Sequence, residues 1–443
     1  MNNVSDVRER AIGATSLRDR YKSGTFWNAI AATTTQGSVF VANLMLARLL
    51  GQTAFGEFSI VYVTMSAASG IAQVATGVTA TKYVAEFRDV DKGRAGHVLG
   101  LCSLVSLFGG AAMALLVVAA APWLASHVLK APHLAAETAI GAGFLWFTAI
   151  TGYQQGALAG LESYRRLAQV SVIHGIAHVT VIAMSAYLWG VTGTVVALVC
   201  SAALRWLLFN AVLRTEARRI GIEICYRNAV RERLIVQRFA VPAAIAGFSS
   251  LPAVWLANTF LVQQPSGYAQ MGLFGAANSL KNLVLFLPAL TNNVGQALLN
   301  NQKGWGDQRR YIKVFWVNTT VTAVLLIIVA GGVALGGQHL LRLYGPGFVE
   351  GYPILAVLLL AAVLDGMATA TYQVVQSQER MWLSLFGIAV PRDVTLLAAA
   401  YVLTIHGGFG LGAAFAISSA VGLLATLLAA RRIGLQVSAT DPR

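Results

Sequence analysis

Three cations fall inside long apolar stretches of this chain, Arg205, Lys281 and Arg392, and two carboxylates, Asp365 and Asp393, lie at comparable depth. A charge held away from water is costly unless it is paired or given a ligand, so such residues mark either a transport pathway or a structural ion pair. Lys281 lies 11 residues past Gln270, ~17 Å along a helix, which places it near a bilayer midplane. An ammonium there can hold an anionic group, with Asn278, Ser279 and Asn282 as hydrogen-bonding neighbours. The plainer alternative is a lysine neutralised by burial or snorkelling past Pro288. Arg205 reads equally as a cavity cation or a snorkelling one. Asp365 and Arg392-Asp393 belong to consecutive spans, where Arg392 can pair with either aspartate. That is a structural pair that fixes helix packing, or a site for a coupling ion, H+ or Na+.

Uncharged polar residues add to this set. Asn28, Gln36 and Asn43 in the first apolar stretch, Gln73 in the second and Asn258 in the seventh make a poor lipid face. They are candidates to line a cavity and hydrogen-bond a polar substrate. His174 and His178 share a helix face at i, i+4. They lack an H-E-x-x-H pattern and an evident third ligand, so a polar lumen face is expected and no metal. Gly152, Gly156 and Gly160 form a stripe for close helix packing. Gly407 to Gly412 lack the lysine and hydroxyl of a phosphate loop and read as a turn. Cys102, Cys200 and Cys225 form no C-x-x-C pair, and no cofactor is implied.

The elements that must position these residues are membrane helices. Of 443 residues, 56% are hydrophobic and 11% charged, with mean hydropathy +0.65. A soluble domain carries about 25% charged residues, so soluble enzymes, disordered scaffolds and disulfide-rich secreted domains are excluded together. Twelve apolar stretches are each long enough for a helical span of about 20 residues. They are 24–47, 56–81, 97–120, 138–161, 167–189, 192–213, 239–262, 270–298, 314–337, 353–377, 383–405 and 408–430. With the N-terminus inside, the inner segments hold 26 Lys and Arg against three outside (Arg48, Lys130 and Arg342). That asymmetry places both termini in the cytoplasm. The net charge of +14 is therefore topology signal and attraction to anionic lipid, not a nucleic-acid surface.

The chain also repeats itself. Gly56-Glu57-Phe58 answers Gly272-Leu273-Phe274, and Leu129-Lys130-Ala131-Pro132 answers Leu343-Tyr344-Gly345-Pro346. Glu162 answers Glu379, and Ala217-Arg218-Arg219-Ile220-Gly221 returns as Ala430-Arg431-Arg432-Ile433-Gly434. The offsets all lie between 213 and 217 residues. They divide the chain into a segment 1–23, a six-helix half 24–213, a basic linker 214–238, a second half 239–430 and a tail 431–443. Two six-helix halves enter the membrane in the same sense and are related by a pseudo-two-fold along its normal, with a pathway between them.

The stretch Leu46-Ala47-Arg48-Leu49-Leu50-Gly51-Gln52-Thr53-Ala54-Phe55-Gly56 resembles the L-A-R-L-L-G-x-x-x-[YF]-G signature of polysaccharide flippases. Leu341-Arg342-Leu343-Tyr344-Gly345-Pro346-Gly347-Phe348 is similar to the turn before their tenth span. These are the Wzx-type O-antigen and exopolysaccharide flippases of the multidrug/oligosaccharidyl-lipid/polysaccharide (MOP) exporter superfamily, and the likeness spans the whole chain. The resemblance implies an all-α, MATE-like protein of the bacterial inner membrane. It implies transfer of an undecaprenyl-pyrophosphate-linked glycan to the periplasmic leaflet, beside a polysaccharide polymerase and chain-length complex. It also implies a role for Arg48, which otherwise reads as an interfacial anchor. The alternative within the same fold is a cation-coupled small-molecule exporter, which intramembrane Lys281 disfavours. A glycan polymerase or ligase is disfavoured by the short outer loops. Reporter fusions at the two ends should both report the cytoplasm; opposite faces would overturn the two-half reading.

Overall fold

The computed structural model describes residues 17–73, 75–227, 229–232, 250–305, 308–377 and 381–439. Arg8, Arg10, Arg233, Arg238, Pro242, the Glu379-Arg380 loop and Arg443 lie outside the described residues. Among the described residues the chain is helical with no strands. The first half holds α1 (Leu17–Ala72), α2 (Thr76–Phe87), α3 (Lys92–Trp123), α4 (Ala135–Gly160) and α5 (Tyr164–Ile220). The second holds α6 (Ser250–Val262), α7 (Gly267–Trp305), α8 (Gln308–Tyr344), α9 (Tyr352–Ser377), α10 (Val390–Leu403) and α11 (Gly407–Ala439).

Seven helical stretches among these are long and apolar enough to cross a membrane. Three of them, Ser23–Ala72, Tyr164–Ile220 and Trp382–Arg432, run 50, 57 and 51 residues, over twice the roughly 20 that one crossing needs. Each folds back at a glycine. Gly51 (φ 76, ψ 177) and Gly190 (φ 59, ψ −139) take conformations that a side chain would oppose, and Gly407 turns α10 into α11. Each stretch is thus two spans. With Ser250–Val262 and the Lys281-bearing α7, the chain makes the twelve crossings expected from its hydropathy. The second span differs in detail: it breaks at Ala75 (φ 51) and resumes as α2. A π-turn over Leu385–Ala389 leads into α10, where Pro391 cannot donate a backbone hydrogen bond.

Helix packing follows the small residues. The glycine stripe of α4 lies against α2: a Cβ on Gly156 would fall 2.0 Å from Gly77 O, and one on Gly160 2.9 Å from Thr81 O. At the Gly160 end of the stripe, Asp91 caps α3 by accepting the Arg94 N–H at 2.9 Å. Glu232 of the linker accepts from Arg94 Nε at 2.9 Å, a bond that holds this guanidinium above its ordinary pKa and ties the linker to α3.

The two halves meet through their repeated residues. A Cβ on Gly56 would lie 1.8 Å from Tyr268 O, and a Cβ on Gly272 would lie 2.1 Å from Gln52 O. Gln52 and Tyr268 are themselves a repeat pair, and each reaches the other half's turn. Gln52 Nε2 donates to Gly347 O at 2.7 Å, and the Tyr268 hydroxyl donates to Leu129 O at 2.8 Å. Gln263 Nε2 adds a bond to Val128 O at 2.7 Å. Phe55 packs edge-on to Phe348, and Phe40 to the fully buried Tyr344. This reciprocal seam closes one end of the interface, the end of the Gly51, Gly190 and Gly407 turns. Replacing Gly56 by valine should force the seam apart, because backbone atoms have nowhere to retreat. Cysteines at positions 128 and 263, joined by a short crosslinker, should crosslink readily in the parent and severalfold less in the Gly56→Val protein.

Candidate functional site

Away from that seam two adjoining cavities open within and beside the first half. The wider, about 390 Å³, is lined by Asn28, Thr35 and Gln36 of α1, Gln155 of α4, Leu167, Ser171 and Arg205 of α5, and Phe286 of α7. It lies where α1 and α5 begin and where the two halves part, and Asn28 on its wall is exposed. The second, about 220 Å³, sits deeper, enclosed by both arms of α1, by α4 and by both arms of α5. Its polar wall includes Ser38, Asn43, Tyr62, Ser66, Gln73, Gln155, His174, His178 and Ser201. Thr35, Gln155 and Arg205 line both, so the two spaces communicate at the guanidinium.

Arg205 is the distinctive group of this site. It is half-buried among helices, and its ring neighbour is Phe209, 5.8 Å from the guanidinium carbon. Among the described residues no carboxylate lies within ion-pair distance of it. A half-buried cation without a counter-charge is costly, and Arg205 is on the wall of both cavities. Beside it, Ser201 Oγ lies 2.8 Å from His178 Nδ1 and 3.1 Å from His174 Nε2, and the two imidazoles stack at 5.5 Å. The polar lumen face expected for this histidine pair is thus where the helix places it.

The other intramembrane charges are arranged differently. Lys281 Nζ lies 3.5 Å from Asp365 Oδ2 and 5.1 Å from the Phe415 ring centre, between α7, α9 and α11, and lines neither cavity. The lysine expected to hold an anionic group is 8% exposed and has a carboxylate beside it. Arg392 takes the nearer of its two possible partners, bonding Asp393 Oδ1 through Nε at 3.0 Å and Nη2 at 2.9 Å. Ser250 donates to Asp393 Oδ2 at 3.2 Å and also contacts Arg392, which ties α6 to α10. Asp365 is bound to Lys281 instead of Arg392.

The uncharged candidates divide. Asn28, Gln36, Asn43 and Gln73 line the cavities. Asn43 also bridges the halves, donating to Ser279 Oγ at 3.2 Å. Asn258 is buried outside both cavities and donates to Val254 O of its own helix at 2.7 Å. Asn278 is half-buried, Asn282 is exposed, and neither lines a cavity; Arg48 is exposed beside the Gly51 turn. Gln155, Tyr62 and Ser201 are wall residues that the sequence reading did not single out. The run Tyr153-Gln154-Gln155 inside an apolar span was a signal for the first of them. Ser201 carried none, since a helical serine usually satisfies its own backbone.

A family model described as polysaccharide biosynthesis protein matches residues 21–290, more than half of the chain. The chain is 26% identical over 406 residues to the EPS I polysaccharide export inner membrane protein EpsE of Ralstonia nicotianae, which covers 89% of each. Its fold is similar to an inward-facing conformation of a multidrug resistance MATE family transporter of the MOP superfamily, with TM-score 0.77 and 16% identity, covering 94% of this chain and 100% of that one. Against an outward-facing conformation the TM-score is 0.67 at 15% identity, covering 95% and 97%.

Breaking a buried pair from one side costs more than removing both charges, because the remaining ion is stranded. A Lys281→Met, Asp365→Asn double variant should accordingly be recovered from membranes in greater yield, with a higher melting temperature, than Lys281→Met or Asp365→Asn alone.

Proposed function

The chain belongs to the polysaccharide biosynthesis protein family, and from that premise we propose that it is a flippase for polyprenyl-pyrophosphate-linked oligosaccharide repeat units. It carries them from the cytoplasmic to the periplasmic leaflet of the bacterial inner membrane, for O-antigen or exopolysaccharide assembly, with both of its own termini in the cytoplasm. The observation that carries this reading is Arg205, with no carboxylate partner among the described residues, at the junction of two cavities whose walls carry polar side chains. A diphosphate cannot enter hydrocarbon unaided. A guanidinium offers it two parallel charge-assisted hydrogen bonds, while Gln36, Asn43, Gln73 and Gln155 offer donors and acceptors to sugar hydroxyls. A cationic drug is repelled by the same charge, which weighs against a small-molecule exporter of this fold.

In this reading the closed seam and the open cavities are one state of an alternating-access cycle. Coupling to H+ or Na+ is assigned to the second half, at Asp365 with Lys281 and at Arg392-Asp393. Support comes from the exposure of the Asp365 side chain, which is 33% against 8% for its lysine, so the carboxylate is the accessible member of that pair. Arg48, exposed at the turn end, is then placed where head groups leave.

Deletion of the gene in its host should lower surface polysaccharide and leave lipid-linked repeat units on the cytoplasmic leaflet. Plasmid-borne parent should restore export. Arg205→Gln, with the cavity shape kept, should restore at most about a tenth of it, the loss expected when a charged hydrogen bond to the substrate goes. Unchanged surface glycan in the deletion strain would overturn the flippase reading.

A further inference from the structure

The flippase reading uses Arg205 but leaves the histidine pair beside it without a task. Ser201 has one hydroxyl proton. It can donate that proton to one imidazole and accept from an N–H of the other, across 2.8 and 3.1 Å. The remaining ring nitrogens belong to side chains on the wall of the deeper cavity, shared with the guanidinium. The titratable groups of that wall are His174, His178, Arg205 and, from α1, Tyr62; α4 contributes none. No carboxylate is among them, so nothing on the wall neutralises the site.

We propose that Arg205 and the His174–Ser201–His178 triplet form an oxyanion site that takes up a proton together with its ligand. The proposal rests on the anionic-substrate reading and names the group that is held. Arginine binds phosphate or carboxylate through a planar fork of N–H donors. An anion seated there brings negative charge into a low-dielectric space where each charge weighs more than in water. An imidazolium facing it adds a second charge-assisted bond. Proton and anion then strengthen each other's binding to the same degree, as linkage requires. At about 220 Å³ the cavity is smaller than the roughly 300–1,000 Å³ of a drug-sized site, so it holds one charged group and leaves the rest of a repeat unit to the wider space. The oxyanion has two possible sources, the carrier's diphosphate and the carboxylate of an acidic sugar.

The test is titration calorimetry on the full chain in lipid nanodiscs at pH 7, with inorganic pyrophosphate and, separately, sodium glucuronate. Each titration is run in two phosphate-free buffers of different ionisation heat. The expected result is binding whose heat differs between buffers by up to about one proton taken up per anion. Arg205→Gln should weaken binding by about tenfold or more. The double variant His174→Gln, His178→Gln should still bind but with buffer-independent heat; His178→Gln alone carries this arm if the double variant does not fold. A response to pyrophosphate alone assigns the site to the carrier, and a response to glucuronate alone assigns it to an acidic sugar. No binding of either anion, buffer-independent heat in the parent, or buffer dependence that survives both histidine substitutions would overturn the proposal. Normal glycan export by a parent protein that binds neither anion discards the site and keeps the flippase. Unchanged glycan in the deletion strain discards the flippase whatever the calorimetry shows.

Discussion

Two glycines set how near the halves of this protein come to each other. Gly56 meets the Tyr268 carbonyl and Gly272 meets the Gln52 carbonyl, at separations that leave no room for a methyl group. Because the contacts are reciprocal, the halves are held as a two-fold pair, and the flanking bonds from Gln52 and Tyr268 to the opposite turns obey the same symmetry. Van der Waals packing, not a hydrophobic driving force, holds helices together in lipid, so the closeness of this seam is itself its strength. A seam at one end obliges tilted helices to diverge toward the other, and that is where the wider cavity lies.

Charge is then handled in three ways. Lys281 is neutralised by a carboxylate from another helix, and Arg392 by its chain neighbour. Among the described residues Arg205 has neither, and it lines two cavities. The first two arrangements strengthen the second half as a body: Lys281 with Asp365 joins α7 to α9, and Arg392-Asp393 with Ser250 joins α10 to α6. The third leaves a guanidinium facing the two cavities. Residues of the same chemical type at similar depth thus do opposite work, decided by what the neighbouring helices bring to them.

Which polar residues face the lumen was partly legible. Asn28, Gln36, Asn43 and Gln73 all lie on the two spans nearest the start of the chain, and all line the cavities. Their density in a lipid-length segment was the signal. Asn278 and Asn282 flank Lys281 in sequence, yet Asn282 is exposed while the lysine is buried, because adjacent helical positions point about 100° apart. Gln155 stood in a polar run that was read only for its glycines, and Ser201 acquires meaning only from two histidines across the Gly190 turn.

By itself the sequence determined the class of molecule, the twelve crossings, the duplication and the depth of each charge. These depend on composition, on 1.5 Å of rise per residue and on chain order, all of which are local. Only the tertiary structure decided that Asp365 belongs to Lys281, that Asp393 belongs to Arg392 and that Arg205 has no carboxylate partner among the described residues. Pairing depends on which faces of tilted, bent helices meet, and those rotations are set by glycine contacts and turns hundreds of residues apart in the chain. A periodic apolar pattern states that a helix is buried in lipid; it does not state which neighbour it meets.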